Sequence, residues 1–182
     1  NYNTDKKGQL RVGAAMGVGE DAKQRAELLT NKNVDVLVID TAHGDTKLVI
    51  ETLKEIKQTY NVEVVVGNIS EPSSANRLAK AGADGIKTGQ GPGAICTTRI
   101  IAGIGCPQVT AIYKCAKETD LPICADGGLR FSGDIPIALG AGASSVMMGS
   151  MLAGTKEAPG STIFLKGKRW KTYRGMGSLE AM

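Results

Sequence analysis

The sequence predicts an α/β protein, a (β/α)8 TIM barrel with about six strand–helix units present in a single domain spanning residues 1–182. Three observations carry this expectation. Short apolar runs bounded by Gly, Asn or Asp alternate with longer stretches of helical period along the whole chain. Two of the helical stretches end in nearly one phrase, Ala81-Gly82-Ala83-Asp84 and Ala141-Gly142-Ala143-Ser144, and residues 31–35 repeat it loosely with asparagine. The glycine or asparagine supplies a left-handed stop immediately before the next strand. Finally, no G-x-G-x-x-G follows the first strand, which favours a barrel over an open doubly wound, flavodoxin-like sheet, the alternative architecture.

Each element follows from its boundaries. Residues 10–15 form the first strand, ahead of Gly17 and Gly19, and residues 21–31 the first helix. The run at 34–39 lies between Asn33 and Asp40, and the helical pattern at 46–60 follows it. A third strand at 62–66 stops at Gly67-Asn68, and Pro72 opens a helix over 72–81. Residues 85–87, 122–125 and 145–148 complete the strands, with helices at 108–119 and 133–141 between them. Alternation of this kind implies parallel strands joined by right-handed crossovers. A closed barrel takes eight such units, so the chain, which starts at Asn1 and stops at Met182, is expected to be a piece of a longer protein.

Composition narrows the function classes. With 42% apolar residues, 24 glycines and 4% aromatics, the chain fits one soluble globular domain. It has no apolar run of about 18 residues, and its first ten residues are too polar for a signal peptide, so a cytoplasmic protein with no membrane partner is expected. The 22 basic and 18 acidic residues are interleaved, which argues against a nucleic-acid partner. The densest basic stretch, residues 166–174 with Trp170 and Tyr173, reads either as a solvated hairpin or as a site for an anionic partner. Cys96, Cys106, Cys115 and Cys124 contain no C-x-x-C pair and share the chain with one histidine, so zinc spacing is absent and reduced thiols are expected.

In a barrel the chemistry collects in the loops that follow each strand. Here those loops are Asp40-Thr41-Ala42-His43-Gly44, Gly67-Asn68, residues 88–99, Asp126-Gly127-Gly128 and Gly149-Ser150. The third is the least ordinary. Gly89, Gly91 and Gly93 free its backbone to present carbonyls or amides to an ion or phosphate, and they leave Cys96 on a polar loop. Cys96 reads as a nucleophile favoured by Arg99 and the loop amides, or as an ordinary loop cysteine, since no histidine base is adjacent. Gly127-Gly128 and Gly149-Ser150 have the makings of a phosphate cradle. Asp126 beside them reads either as an acceptor for ribose hydroxyls or as a turn cap.

Four motifs then carry a resemblance: GQGPGAICTTR at 89–99, ADGGLRFSGD at 125–134, MGSMLAG at 148–154 and YRGMGSLEAM at 173–182. Together, in this order and over essentially the whole chain, they resemble the catalytic barrel of the inosine 5′-monophosphate dehydrogenases. The resemblance implies oxidation of a purine nucleotide with NAD, through a covalent thioimidate on Cys96 that water then hydrolyses with Thr98 nearby. It places the substrate on Ala94, Asp126, Gly127, Gly128, Gly149, Ser150, Tyr173, Gly175, Met176 and Gly177. Dinucleotide contacts fall to Asp40, Thr41, Asn68, Gly89 and Gly91, and a potassium ion to the carbonyls of Gly91, Gly93 and Cys96. A homotetramer acting in guanine nucleotide biosynthesis is also implied.

The sequence departs from that pattern at named positions. Ala94 stands where the family usually has a serine whose hydroxyl touches phosphate, Gln90 and Thr88 replace residues more often apolar, and Asp45 stands where histidine is common. The family's first two strand–helix units and its water-activating flap have no counterpart in residues 1–182, so this fragment alone is not expected to turn over. Two other functions stay open. Guanosine monophosphate reductase shares the barrel, the cysteine and the threonine, and a non-catalytic purine-nucleotide-binding module would keep the cradle alone.

Overall fold

A computed structural model describes residues 3–175. Six strands, β1 (Gly13–Met16), β2 (Val36–Asp40), β3 (Glu63–Ile69), β4 (Gly85–Thr88), β5 (Ile123–Asp126) and β6 (Ser145–Met147), lie side by side in sequential order, every neighbouring pair parallel. The sheet curls into an open half barrel, part of the TIM barrel that the alternating pattern predicts.

Helices α1 (Glu20–Thr30), α2 (Lys47–Thr59), α3 (Pro72–Ala81), α5 (Gln108–Glu118) and α6 (Asp134–Gly140) occupy the crossovers. Helical spacing decides which residues go inward: Val49, Leu53 and Ile56 of α2, Ala75 and Leu78 of α3, and Ala111, Ile112 and Cys115 of α5 are buried. Those of α2 and α3, with Cys115, meet Leu37, Ile39, Val64, Val66, Ile86 and Ile123 of the strands, while Ile112 packs in a second, smaller cluster with Ala125, Ala138 and Ala143, so the core lies mainly between sheet and helices. Thr46 caps α2 by accepting the Val49 amide at 3.3 Å. The expected left-handed stops fall at Gly82 (φ 103°), Gly142 (φ 113°) and, in the looser phrase, Asn33 (φ 58°).

The structure differs from expectation in four places, the first being that β3 does not stop at Gly67-Asn68 but runs through them to Ile69, pairing with both neighbouring strands beyond residue 66. The first strand begins at Gly13, because Leu10 pairs antiparallel with Thr4 instead of joining the sheet. Two single-turn helices, α4 (Thr98–Ile101) and α7 (Ser150–Ala153), are too short to leave a periodic signal in sequence. The basic stretch belongs to a hairpin, β7 (Thr162–Leu165) and β8 (Lys168–Lys171), that starts earlier than its charges and turns at Lys166-Gly167, both with positive φ. No helix among the described residues is long and apolar enough to cross a membrane.

Candidate active site

Because all six strands run the same way, Asp40, Asn68, Thr88 and Asp126 come to one rim of the sheet, with Gly149 and Ser150 just beyond β6. The centre of that rim is an ionic cluster that sequence reading passed over. Lys87 of β4, 2% exposed, places its ammonium 3.0 Å from Asp40 Oδ1 and donates to Asp126 Oδ2. Asn68 Nδ2 donates to the same Asp126 oxygen at 2.9 Å and to the Gly89 carbonyl at 2.7 Å. Burial alone would push the Lys87 ammonium down in pKa, but the Asp126 and Asp40 carboxylates outweigh it and hold it above the ordinary lysine value. Asp126 is therefore no turn cap: its carboxylate is bound by side chains from β3 and β4.

The loops above this cluster pack through glycines. A side chain at Gly89 would collide with the Asp126 carbonyl, and one at Gly127 would come within 3.0 Å of the Gly93 amide. Gly127 and Gly128 both adopt φ 84°, so the turn after β5 lies directly against Pro92-Gly93. Asp134 closes the far side of that turn by accepting the amides of Arg130 at 2.8 Å and Phe131 at 3.0 Å. Gln108, another residue missed in the sequence, donates from Nε2 to the carbonyls of Thr88 at 2.9 Å and Asp126 at 3.1 Å, tying the ends of β4 and β5 together.

Within the cysteine loop the Cys96 amide donates to the Gly93 carbonyl at 3.0 Å, making a tight turn. The half-buried Cys96 thiol donates to Thr98 Oγ1 at 3.2 Å, so the two predicted catalytic residues are in contact. Arg99, expected to support the thiol, is engaged elsewhere: its Nη2 donates to the Cys106 carbonyl at 2.5 Å, and its stem lies against Gly91 and Gly105. Gln90 accepts the Ser70 hydroxyl at 2.5 Å and lies 3.2 Å from His43 Nδ1, linking this loop to the one after β2.

A cleft of about 440 Å³ opens between these loops. It gathers Asp40, Gly93, Ala94, Asp126, Gly127, Gly128, Gly149, Ser150 and Tyr173, together with Arg130 and Arg174. The Tyr173 hydroxyl reaches the Gly149 backbone so closely that any side chain at 149 would collide with it. The Gly127 amide donates to the Met147 carbonyl at 3.3 Å, which leaves Gly128, Gly149 and Ser150 as the better-placed amides for an anion. Cys96 and Thr98 lie just past the wall made by Pro92 to Ile95, and Gly175 packs on Ile95. Met176 and Gly177 fall outside the described residues.

The donor sets can be compared with the implied cofactors. Among the described residues no group of three His, Cys, Asp or Glu side chains could hold a metal ion, so a cation here would rest on carbonyl oxygens. The residues that the resemblance gives to such a cation lie in this turn, where the Gly93 carbonyl already accepts the Cys96 amide. Asp40 is exposed at the cleft and fits as an acceptor for a dinucleotide's hydroxyls. Thr41 does something else: its amide and hydroxyl both donate to the Gly67 carbonyl, at 2.8 and 3.0 Å, and the Asn68 amide returns to Thr41 at 2.8 Å. Those bonds lock the loop after β2 onto β3.

Known proteins share this chain throughout. The family model described as IMP dehydrogenase / GMP reductase domain matches residues 1–182. The inosine-5′-monophosphate dehydrogenase of Aquifex aeolicus is 55% identical over 186 residues, covering all of this chain and 38% of the relative's length. Those of Chlorobaculum tepidum and Rhodopirellula baltica are 54% and 56% identical over 98% of the chain, which spans 37% and 34% of them. The half barrel, the Cys96–Thr98 pair and a family match over residues 1–182 together mean that the chain belongs to the IMP dehydrogenase / GMP reductase family.

Proposed function

We propose that the full-length protein oxidises inosine 5′-monophosphate to xanthosine 5′-monophosphate with NAD. The observation that carries this reading is the contact between Cys96 and Thr98 at the edge of a cleft floored by Asp126 and the glycine turn after it. The phosphate would lie against the amides of Gly128, Gly149 and Ser150, and Asp126 would accept the ribose hydroxyls. Cys96, having given up its proton, adds through sulfur to C2 of the purine, and C2 loses a hydride. NAD, which Asp40 would help to hold, supplies the acceptor for that hydride. Water then adds at C2 and the carbon–sulfur bond breaks, returning the thiolate, while the Thr98 hydroxyl, already beside the sulfur, orients the attacking water. A potassium ion on the Gly91, Gly93 and Cys96 carbonyls would order the loop that carries the sulfur.

In the full-length protein, inosine monophosphate and NAD should give NADH, and Cys96→Ser should abolish that signal while nucleotide binding persists. NADH formation by the Cys96→Ser protein overturns the covalent role. Consumption of NADPH with guanosine monophosphate instead assigns the reductase, and nucleotide binding with neither reaction assigns a binding module.

A further inference from the structure

Beneath the cleft lies a cation that the chemistry just described does not use. Lys87 sits in a row of residues paired across the sheet, Asp40 on β2, Gly67 on β3 and Lys87 on β4. A side chain at Gly67 would collide with the Lys87 carbonyl and Cβ, so only glycine leaves room for the lysine to lie against β3. Across that gap its ammonium reaches Asp40, two strands away, and on the other side it reaches Asp126 on the next strand.

The bonds at Asp126 are one-sided. Lys87 and Asn68 both donate to Oδ2, whereas Oδ1 takes no hydrogen bond from the described residues. Both acidic partners of Lys87 line the cleft, while the lysine itself does not. A buried ammonium is strongly unfavourable unless paired, and an apolar side chain would fill the same space without that penalty. A cation retained between two cleft carboxylates therefore serves what those carboxylates do.

We infer that Lys87 is a positioning residue: by anchoring Asp126 through Oδ2 it turns Oδ1 to the cleft as an acceptor for the vicinal hydroxyls of a ribose, with Asp40 held alongside. This rests on the reading of the cleft as a nucleotide site. Lys87 thus sets how strongly the site demands a ribonucleotide, without touching the ligand.

The test measures binding to the full-length protein by titration calorimetry, using inosine 5′-monophosphate and its 2′,3′-dideoxy analogue against wild type, Lys87→Met and Lys87→Gln. Wild type should prefer the ribonucleotide by at least about tenfold, the range of hydrogen bonds to a charged acceptor. Lys87→Met should bring the preference to within about twofold while the dideoxy analogue binds as before, and Lys87→Gln, which keeps a donor, should fall between. Equal weakening of both nucleotides would make Lys87 a purely structural residue and overturn the inference, as would an unchanged preference or its absence in wild type. Should Lys87→Met not fold, the ratio in Lys87→Gln decides on the same terms. A wild type that binds neither nucleotide overturns the nucleotide reading itself, which separates the two failures.

Discussion

Four cysteines share the chain, and their surroundings sort them by reactivity. Burial in α5 pushes the Cys115 thiol up to about 11, and burial also raises Cys124. Cys96 stands half-buried on a glycine loop with a hydroxyl beside its sulfur. Since the thiolate is the reacting species, iodoacetamide at neutral pH should modify Cys96 ahead of Cys115 and Cys124, read by mass mapping of quenched time points. Earlier labelling of Cys115 would contradict this. The inertness of Cys115 was legible, because it falls at helical spacing within an apolar run. Lys87 was not. It stands in Gly85-Ile86-Lys87-Thr88, whose apolar neighbours mark a buried strand but say nothing of the carboxylates that make burial tolerable. Its partner Asp126 is 39 residues away, and the bond from Asn68 to that carboxylate spans 58. Contacts at such separations are set by strand register, which one sequence does not display.

The helices show what local signals can deliver. Residues 72–81 form the predicted α3 to the residue, because proline at its first turn and glycine past its end mark both limits. Its attachment to the sheet rim runs through a partner that its own pattern does not announce, Asp45 in the loop after β2. Arg77 of α3 donates to both Asp45 oxygens, and Ser74 adds a bond at 2.7 Å. The Arg77 guanidinium holds the Asp45 carboxyl below the usual carboxylate range. A carboxyl whose pKa is lowered by folding contributes stability above its unfolded value, about 3.9, and loses it as the pH falls toward the folded value. The melting temperature of the full-length protein should thus drop on acidification below about pH 4 more steeply in wild type than in Asp45→Asn, which should already melt a few degrees lower at neutral pH. Parallel curves would show that Asp45 is not linked to acid unfolding.

At the scale of the molecule, the repeating strand–helix phrase disclosed the architecture, yet it could not show how the half barrel ends. Among the described residues β1 and β6 each pair on one side only, and Leu10 and Val12 near β1 are exposed. Unpaired edges beside apolar surface recruit further strands. Residues 1–182 expressed alone should self-associate at micromolar concentration in size-exclusion chromatography, and a monomer with a sharp cooperative melt would refute this. The hairpin adds a different consequence. Its trailing segment returns Tyr173 to Gly149, so the cleft after β6 is finished by chain that has first travelled out through β7 and β8. Occupancy of the cleft and docking of that segment are therefore thermodynamically reciprocal: a ligand touching Tyr173 pins the excursion from 154 to 172 by as much free energy as the docked excursion lends to the ligand. A cut in the hairpin, far from any reacting atom, would be felt at the cleft.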